Sequence, residues 1–236
     1  MDFSGKHVVI TGGTGALGSA VTGLLLAAGA HCTVPYRHAE QAQRIAHRDH
    51  PHMTLIATGD LADEAAVAKL YDELPAMTSI WASIHIAGGF ATGDVADTDK
   101  AALMAQIDGN LVSCFLCCRA AVRVMLAAGN GGRIVNVAAR PALEQRSGSG
   151  MSAYTIAKSG VVALTVALAE EVARDGILVN AVAPSIMDTA ANRQAMPKAN
   201  FDSWPKVEEV AATMLFLASP DNKVTRGAVV PVYGKA

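Results

Sequence analysis

The chain has 236 residues, a length that fits one α/β domain with a large apolar core. Hydrophobic residues make up 51% and charged residues 17%, a composition that excludes a disordered chain. The formal net charge of -2 gives no reason to expect nucleic acid or an anionic membrane as a partner.

Short β-rich apolar runs alternate along the chain with longer helical patterns, which is typical of a parallel sheet covered by helices. The predicted strands are His7–Thr11, His31–Val34, Met53–Ala57, Ile80–Ile86, Arg133–Val137, Ile177–Ala183 and Ala228–Val232. The predicted helices are Ala16–Ala28, Ala39–Arg48, Asp63–Glu73, Thr98–Ala128, Met151–Arg174 and Lys206–Ala218. These elements predict a single α/β domain over residues 1–236, with a Rossmann-type, doubly wound, seven-stranded parallel sheet.

Apolar runs in the chain are all interrupted, and none reaches the roughly 18 consecutive apolar residues that a membrane span needs. The most apolar helical region, Leu111 to Ala128, contains Arg119 and Arg123. The N-terminal residues run directly into the first strand, without a basic stretch or a cleavage site. We therefore expect a cytoplasmic protein that does not bind membranes.

Two loops that follow predicted strands, residues 138–150 and 184–205, are rich in glycine, serine or proline. In an open parallel sheet, ligands bind beyond the carboxyl ends of the strands. We expect these loops to bind a small-molecule substrate, beside the turns after Thr11 and Ile86.

A glycine-rich segment, TGGTGALG from Thr11 to Gly18, follows the first strand and opens a helix. Glycines allow a tight turn and close approach of a pyrophosphate, and the helix N-terminus supplies N–H groups and a favourable dipole. The pattern favours dinucleotide binding. The alternative is a turn that only packs the helix on the strand.

The second strand ends in Tyr36 and Arg37, at the place where NAD-preferring enzymes usually carry an acid for the ribose hydroxyls. An arginine can instead pair with a 2′-phosphate. The sequence therefore favours NADP(H), with NAD(H) as the alternative, unless Arg37 is an ordinary solvated loop residue.

The motif YTIAK places Tyr154 and Lys158 four residues apart on a helix, and hence on one face. A neighbouring cation favours the phenolate, so we expect the lysine to lower the pKa of Tyr154 from its usual value near 10. That would prepare the tyrosine for proton transfer near neutral pH. The spacing alone also arises by chance, and its context after a strand and a polar loop gives it weight.

Three of the four cysteines, Cys114, Cys117 and Cys118, lie close together in sequence. Cys114 and Cys118 share a helix face, but no further His or Cys pair at ligand spacing completes the four ligands that zinc prefers. The favoured interpretation is buried, reduced packing cysteines and no metal site.

These motifs together resemble the short-chain dehydrogenase/reductase family over essentially the whole chain. The matching segments are the glycine loop with Ala16 in place of a glycine, Asp60 in GDL, HIAG at His85–Gly88, Asn110, GRIVNVAA at Gly132–Ala139, the Tyr154–Lys158 pair, and VNAVAPSIMDT at Val179–Thr189. The resemblance implies that Lys158 also holds the nicotinamide ribose. It also implies that Asn110 takes part in a proton relay, and that Thr189 and the backbone near Met187 face the carboxamide. Asn110 as a helix-kink residue and Thr189 as a helix cap are the plainer alternatives.

The loop pattern and the resemblance together define the candidate site. The candidate catalytic residues are Tyr154, Lys158 and Asn110. The candidate cofactor-binding residues are Thr11, Gly12, Thr14, Ala16, Leu17, Gly18, Arg37, Asp60, Leu61, Ala87, Gly88, Lys158, Pro184, Met187 and Thr189.

One position departs from the family pattern: Ala139 stands where most members carry a catalytic serine. Ser147, Ser149 and Ser152 follow in a longer loop and are interpreted as ordinary loop residues. Several segments, among them IAGGF and GMSAY, are locally similar to dihydropteridine reductase, an enzyme type that also lacks this serine. The region of Arg37 differs from that type, which usually carries an acid there.

The sequence thus predicts an NAD(P)H-dependent oxidoreductase that transfers hydride to a carbonyl or a conjugated C=N or quinonoid molecule, with Tyr154 as the proton donor. An apolar substrate pocket is expected from Phe90, Met151, Met187, Met196, Phe201 and Trp204, which could equally pack as a lid. The alternative function is a catalytically weak nucleotide-binding regulatory or scaffold protein.

The two predicted helices Thr98–Ala128 and Met151–Arg174 are apolar on more than one face and so need burial on both sides. In the family these helices pair across a two-fold axis. The resemblance therefore implies a homo-tetramer or homo-dimer.

Overall fold

A computed structural model describes residues 1–45, 47–74 and 79–236. Its seven strands form one parallel sheet in the order β3-β2-β1-β4-β5-β6-β7. The strands are β1 (His7–Thr11), β2 (His31–Tyr36), β3 (Met53–Ala57), β4 (Ile80–His85), β5 (Gly132–Val137), β6 (Ile177–Pro184) and β7 (Val229–Val232). This arrangement confirms the predicted doubly wound α/β fold, and each predicted strand is found within two residues of its expected ends.

The helices cover both faces of the sheet. They are α1 (Ala16–Ala27), α2 (Ala39–Arg44), α3 (Glu64–Asp72), α4 (Lys100–Ile107), α5 (Ser113–Ala128), α6 (Arg140–Leu143), α7 (Ser152–Glu171), α8 (Ala190–Ala195) and α9 (Val207–Ala218). Val8 and Ile10 of β1 pack with α1 and α9 on one face, whereas Val9 between them packs with α3, α5 and α7 on the other. Because the central strands are buried on both faces, their sequences are mostly apolar, with buried polar residues such as His85 and Asn136 among them.

The direction of the strand order reverses between β1 and β4, which pair in parallel with Thr11 opposite His85. At such a reversal the following connections leave toward opposite sides of the sheet, which opens a crevice at the carboxyl ends of the strands. The turns after β1 and β4 therefore lie where a ligand can approach the sheet.

The predicted helix Thr98–Ala128 is divided by a π-helical turn at Asp108–Val112. The spacing of the hydrophobic residues is nearly the same in α4, in the π-helical turn and in α5, so the sequence pattern does not reveal the turn. Both predicted substrate loops also contain short helices, α6 and α8. Of the predicted helix Ala39–Arg48, only Ala39–Arg44 is helical among the described residues; Ile45 is extended and residue 46 lies outside them.

Two helical stretches, Lys100–Ala128 and Ser152–Glu171, are long and apolar enough to cross a membrane by length and composition alone. Both pack against the sheet, α5 on β4 and β5 and α7 on β5 and β6. The core helices of a sheet protein have the same length and composition, so these helices are accounted for by the fold.

Candidate active site

Two clefts open along the carboxyl edge of the sheet and share Gly88. The larger, about 550 Å³, lies over β1 to β4 and is lined by seven of the predicted cofactor residues: Gly12, Thr14, Arg37, Asp60, Leu61, Ala87 and Gly88. The smaller, about 230 Å³, lies over β4 to β6 and is lined by Leu17, Gly88, Asn110, Tyr154, Lys158, Pro184 and Met187. We call them the nucleotide cleft and the catalytic cleft. Together their linings include most of the predicted site residues, and Gly88 belongs to both.

Two glycines of the loop are required by close backbone contacts. Gly12 has a φ of +71°, and a Cβ there would lie 2.6 Å from the backbone nitrogen of Ala87. A Cβ on Gly18 would overlap the carbonyl oxygen of Gly12, whereas one on Gly15 would make an ordinary contact at 3.5 Å. Gly15 is the N-cap of α1 and has no side chain to cap it, so the first N–H groups of α1 are left for another acceptor.

Four predicted cofactor residues do not line either cleft. Thr11 is buried, and its Oγ1 accepts a hydrogen bond from the Ala87 N–H at 3.3 Å, which ties β1 to the turn after β4. Gly18 supports the loop as described above. Ala16 is the exposed first residue of α1, and Thr189 caps α8 by accepting from the Asn192 N–H at 3.2 Å. The plainer interpretation of Thr189 as a cap is therefore what the structure shows.

Arg37 and Asp60 contact each other across the nucleotide cleft. Nη1 of Arg37 lies 3.0 Å from Oδ2 of Asp60, with the two side chains 58% and 51% exposed. Ion pairs this exposed contribute little to stability because water screens them. The sequence assigned both residues to cofactor binding, Arg37 through a 2′-phosphate, and the structure adds that they pair.

Lys158 is held at the back of the catalytic cleft. Its Nζ donates a hydrogen bond to the Val137 carbonyl at 2.8 Å, and its burial lowers the pKa of its ammonium group to about 8. The same Nζ lies 5.9 Å from the centre of the Tyr154 ring. Burial therefore favours the uncharged amine more than at an exposed lysine, and the strongest contact of Lys158 is with β5 rather than with Tyr154.

Tyr154 shows the opposite pKa shift from the one predicted. Burial raises the pKa of its hydroxyl to about 12, because the phenolate loses solvation. The expectation of a lowered pKa was wrong. A tyrosine with a raised pKa keeps its proton at neutral pH, and this protonation state suits a proton donor.

Asn110 lies in the π-helical turn and is buried. Its Nδ2 donates to the carbonyls of Gly89 and Gln106, both at 3.0 Å, and its Oδ1 accepts from the Gly89 N–H at 3.2 Å. A Cβ added to Gly88 would lie 2.5 Å from this Oδ1 and 3.5 Å from Nζ of Lys158. Asn110 thus ties the π-helical turn to Gly89, which lines the catalytic cleft.

Ala138 and Ala139 line the catalytic cleft at the position of the missing serine. Ser147 and Ser149 are exposed and do not line it, and Oγ of Ser147 donates to the Glu144 carbonyl at 2.8 Å. Sequence analysis missed Ser185, which does line the cleft and donates to the Tyr233 carbonyl at 2.9 Å. The available sign was its place in VNAVAPSIMDT, one of the segments that carry the family resemblance.

Phe90 and Met187 are the members of the predicted apolar set that line the catalytic cleft. The Phe90 ring meets the Tyr154 ring edge to face, with centroids 5.0 Å apart. Trp204 is instead buried beside Phe201, at 5.0 Å between ring centroids, in the segment after α8. The lining of the cleft therefore includes an aromatic ring in contact with Tyr154 and the apolar side chain of Met187.

Comparison with known proteins identifies the class of the chain. Residues 6–200 match the family model described as short chain dehydrogenase. Galactitol 2-dehydrogenase of Rhizobium johnstonii is 33% identical, with 98% of this chain and 94% of that protein covered. Cis-4-hydroxycyclohexanecarboxylate dehydrogenase of Sinomonas cyclohexanicum is 34% identical, with 98% and 96% covered. The chain belongs to the short-chain dehydrogenase/reductase family.

A solved structure agrees with this assignment. ElxO with NADP bound is 26% identical, covers 97% of both chains and superposes with a TM-score of 0.88. The family and its named dehydrogenases and reductases indicate that the protein is an oxidoreductase that uses a nicotinamide dinucleotide.

Proposed function

We propose that the protein reduces a carbonyl or a conjugated C=N or quinonoid group with a nicotinamide cofactor, and that Tyr154 donates the proton. The observation that carries this proposal is that the two clefts share Gly88 in their linings, with Tyr154 and Lys158 in one and Gly12 and Thr14 of the glycine loop in the other. The bound nicotinamide would supply the hydride.

The residues of the catalytic cleft would have separate roles in proton transfer and in cofactor binding. Tyr154 keeps its proton at neutral pH and can deliver it as negative charge develops on the acceptor atom of the substrate. Lys158, fixed by the Val137 carbonyl, remains charged below about pH 8 and would hold the nicotinamide ribose while supporting the developing phenolate. Asn110 holds the Gly89 turn and is the candidate partner for a water that leads protons to Lys158.

We propose NADP(H) as the preferred cofactor and NAD(H) as the weaker one. The guanidinium of Arg37 is more than half exposed, so it can leave its weak contact with Asp60 and bind a 2′-phosphate. The Asp60 carboxylate would then be free for the adenine. ElxO, which binds NADP, gives this choice a precedent in the same fold.

For the substrate we propose a cyclic or conjugated acceptor rather than a plain aliphatic ketone. Most of the catalytic cleft is apolar, with Phe90 against Tyr154, and Ala139 supplies no second hydroxyl to hold a localised oxyanion. Delocalised charge needs less local help. One similar protein, the cis-4-hydroxycyclohexanecarboxylate dehydrogenase, has a ring in the substrate that it is named for.

The test measures NADPH and NADH oxidation with matched panels of quinonoid pterins, cyclic diketones and aliphatic ketones. We expect the highest kcat/KM on the conjugated acceptors. Ala139→Ser should leave these nearly unchanged and improve the aliphatic ketones. Faster turnover of aliphatic ketones by the wild type would contradict the substrate proposal, as would loss of turnover in Ser147→Ala with cofactor binding intact. Tight cofactor binding without any turnover would instead support the scaffold alternative.

We further propose a homo-tetramer or homo-dimer. The outer faces of α5 and α7 carry exposed apolar side chains: Phe115, Leu126, Ile156 and Val166. Exposed apolar side chains on two neighbouring helices fit an interface with a second copy. Light scattering should give at least twice the 24.3 kDa mass of one chain at micromolar concentration, and a monomer there would refute the proposal.

A further inference from the structure

Behind the catalytic cleft lies a buried group of three side chains that the proposed reaction does not use. His85 ends β4, and Cys114 and Cys118 lie one helical turn apart on α5. Their ligand atoms all lie within 4.8 Å of one another. The sequence favoured packing cysteines because no third ligand was near them in the chain, and the fold supplies that ligand from β4.

A fourth donor lies among these three. Oδ1 of Asn136, on β5, is 2.9 Å from Nδ1 of His85, 3.4 Å from Sγ of Cys114 and 3.5 Å from Sγ of Cys118. Sγ of Cys118 is also 3.4 Å from Nδ1 of His85. With bonds of about 2.3 Å to sulfur and about 2.1 Å to nitrogen or oxygen, the edges of a zinc tetrahedron are about 3.4–3.8 Å long. Three of the measured distances, at 3.4–3.5 Å, match these edges, and the distance from His85 to Asn136 is shorter at 2.9 Å. The distances from Sγ of Cys114 to Sγ of Cys118 and to the His85 ring nitrogen are within 4.8 Å, so small side-chain shifts bring the four donors to the corners of such a tetrahedron.

Three polar groups converge on a single acceptor, the side-chain oxygen of Asn136, and a bound ion would reduce this crowding. An amide oxygen has two lone pairs, yet three groups approach Oδ1 of Asn136. If a cation took the place of the two thiol protons and of the proton on Nδ1 of His85, Oδ1 of Asn136 would become one of its four ligands.

The outer contacts of His85 suit a metal ligand. Its Nε2 lies 2.9 Å from Oγ of Ser83, which lies 2.8 Å from the hydroxyl of Tyr71. Hydroxyl groups can reverse their donor direction, so Nε2 can carry the proton and leave the Nδ1 lone pair for an ion. Ligating histidines usually donate their second N–H to such a partner.

We propose that His85, Cys114, Cys118 and Asn136 Oδ1 form a closed structural site for zinc. Two thiolates balance the charge of a divalent ion, which favours Zn²⁺ over Cu⁺ in a buried place. Four protein ligands leave no open position, so the ion would join β4, β5 and α5 rather than act on substrate. Asn136 directly precedes Val137, whose carbonyl holds Lys158, so the ion would stiffen the support of the catalytic lysine.

The test starts with the full chain expressed in zinc-supplemented medium and washed with EDTA, followed by elemental analysis. Because the site is buried, we expect about one zinc per chain to survive the wash. Cys114→Ala and Cys118→Ala should each lose it. Cys117→Ala is the matched control, since Cys117 is equally buried on the same helix but outside the group, and it should keep its zinc.

A second measurement uses the wild-type protein, so it does not depend on whether the variants fold. Wild-type protein produced with cobalt should show a thiolate-to-cobalt charge-transfer band and the strong visible bands of tetrahedral cobalt. Absence of the thiolate band, or far less than one zinc per wild-type chain, would overturn the proposal. Zinc retained in the Cys114→Ala,Cys118→Ala double variant would also overturn it, because the ion would then lie elsewhere, such as near the ring-stacked His31 and His52.

Discussion

The nucleotide cleft and the catalytic cleft place their polar residues in opposite environments. Arg37 and Asp60 are each more than half exposed and contact mainly each other. Lys158 and Asn110 are 5% and 1% exposed, and each is held by backbone groups. Burial shifts the pKa values of Tyr154 and Lys158 in the catalytic cleft. The first cleft thus selects its ligand through adjustable surface charges, and the second acts through fixed and desolvated groups.

This difference predicts where substitutions have large effects. Backbone contacts and buried groups are fixed, so changing them should be costly, whereas an exposed ion pair can rearrange at little cost. Each of the following experiments measures one side of that contrast.

The largest effect in the nucleotide cleft should come from its backbone. Gly18→Ala forces a Cβ into the Gly12 carbonyl, and overpacking of this kind costs about 1–3 kcal/mol, or about 5- to 150-fold in cofactor affinity. Gly15→Ala is the control, because its Cβ meets Gly12 at an ordinary distance. Fluorescence titration with NADPH measures both. Equal affinities in the two variants would show that the loop does not contact the cofactor as proposed.

Reduction should slow above about pH 8. Because burial lowers the pKa of Lys158 to about 8, this lysine is charged below that pH and neutral above it. The pKa of Tyr154 is about 12, so the proton donor remains protonated throughout. One such titration makes the reduction rate about tenfold lower at pH 9 than at pH 7. Stopped-flow hydride transfer with saturating cofactor measures it, and a rate that stays constant to pH 9.5 would contradict the account.

The smallest effect should come from the exposed pair. Arg37→Asp removes the cation for a 2′-phosphate and adds a repelling charge at an exposed position, so NADPH affinity should fall by about fivefold while NADH affinity falls less. Dissociation constants for both cofactors, measured in wild type and variant, decide this. If the wild type already binds NADH tenfold more tightly than NADPH, the assignment of Arg37 is wrong.

The sequence was sufficient to predict the elements that are determined by residues close together in the chain. Strands buried on both faces are mostly apolar, and glycines mark a tight turn, so β1 and the turn at Gly12 were predictable. The family motifs made Tyr154, Lys158 and Asn110 the candidate catalytic residues, and the structure brings these three into the lining of one cleft.

Features that depend on contacts between distant segments were not predictable. The π-helical turn is held by the bonds of Asn110 to Gly89, and Lys158 is anchored by Val137, 21 residues earlier in the chain. The spacing of Tyr154 and Lys158 gives their common helix face, but neither their burial nor the direction of the ammonium group. For the same reason the pairing of His85 with the cysteines of α5 could not be predicted from the cysteine spacing.

The central claim is that Tyr154 supplies the proton, and Tyr154→Phe tests it most directly. The substitution removes one hydroxyl and keeps the ring that packs against Phe90. Turnover should be measured on the best conjugated acceptor together with the NADPH dissociation constant. We predict kcat at least about 10²-fold lower, the low end for a positioned acid, with cofactor affinity unchanged. Turnover within a few-fold of the wild type would contradict the account.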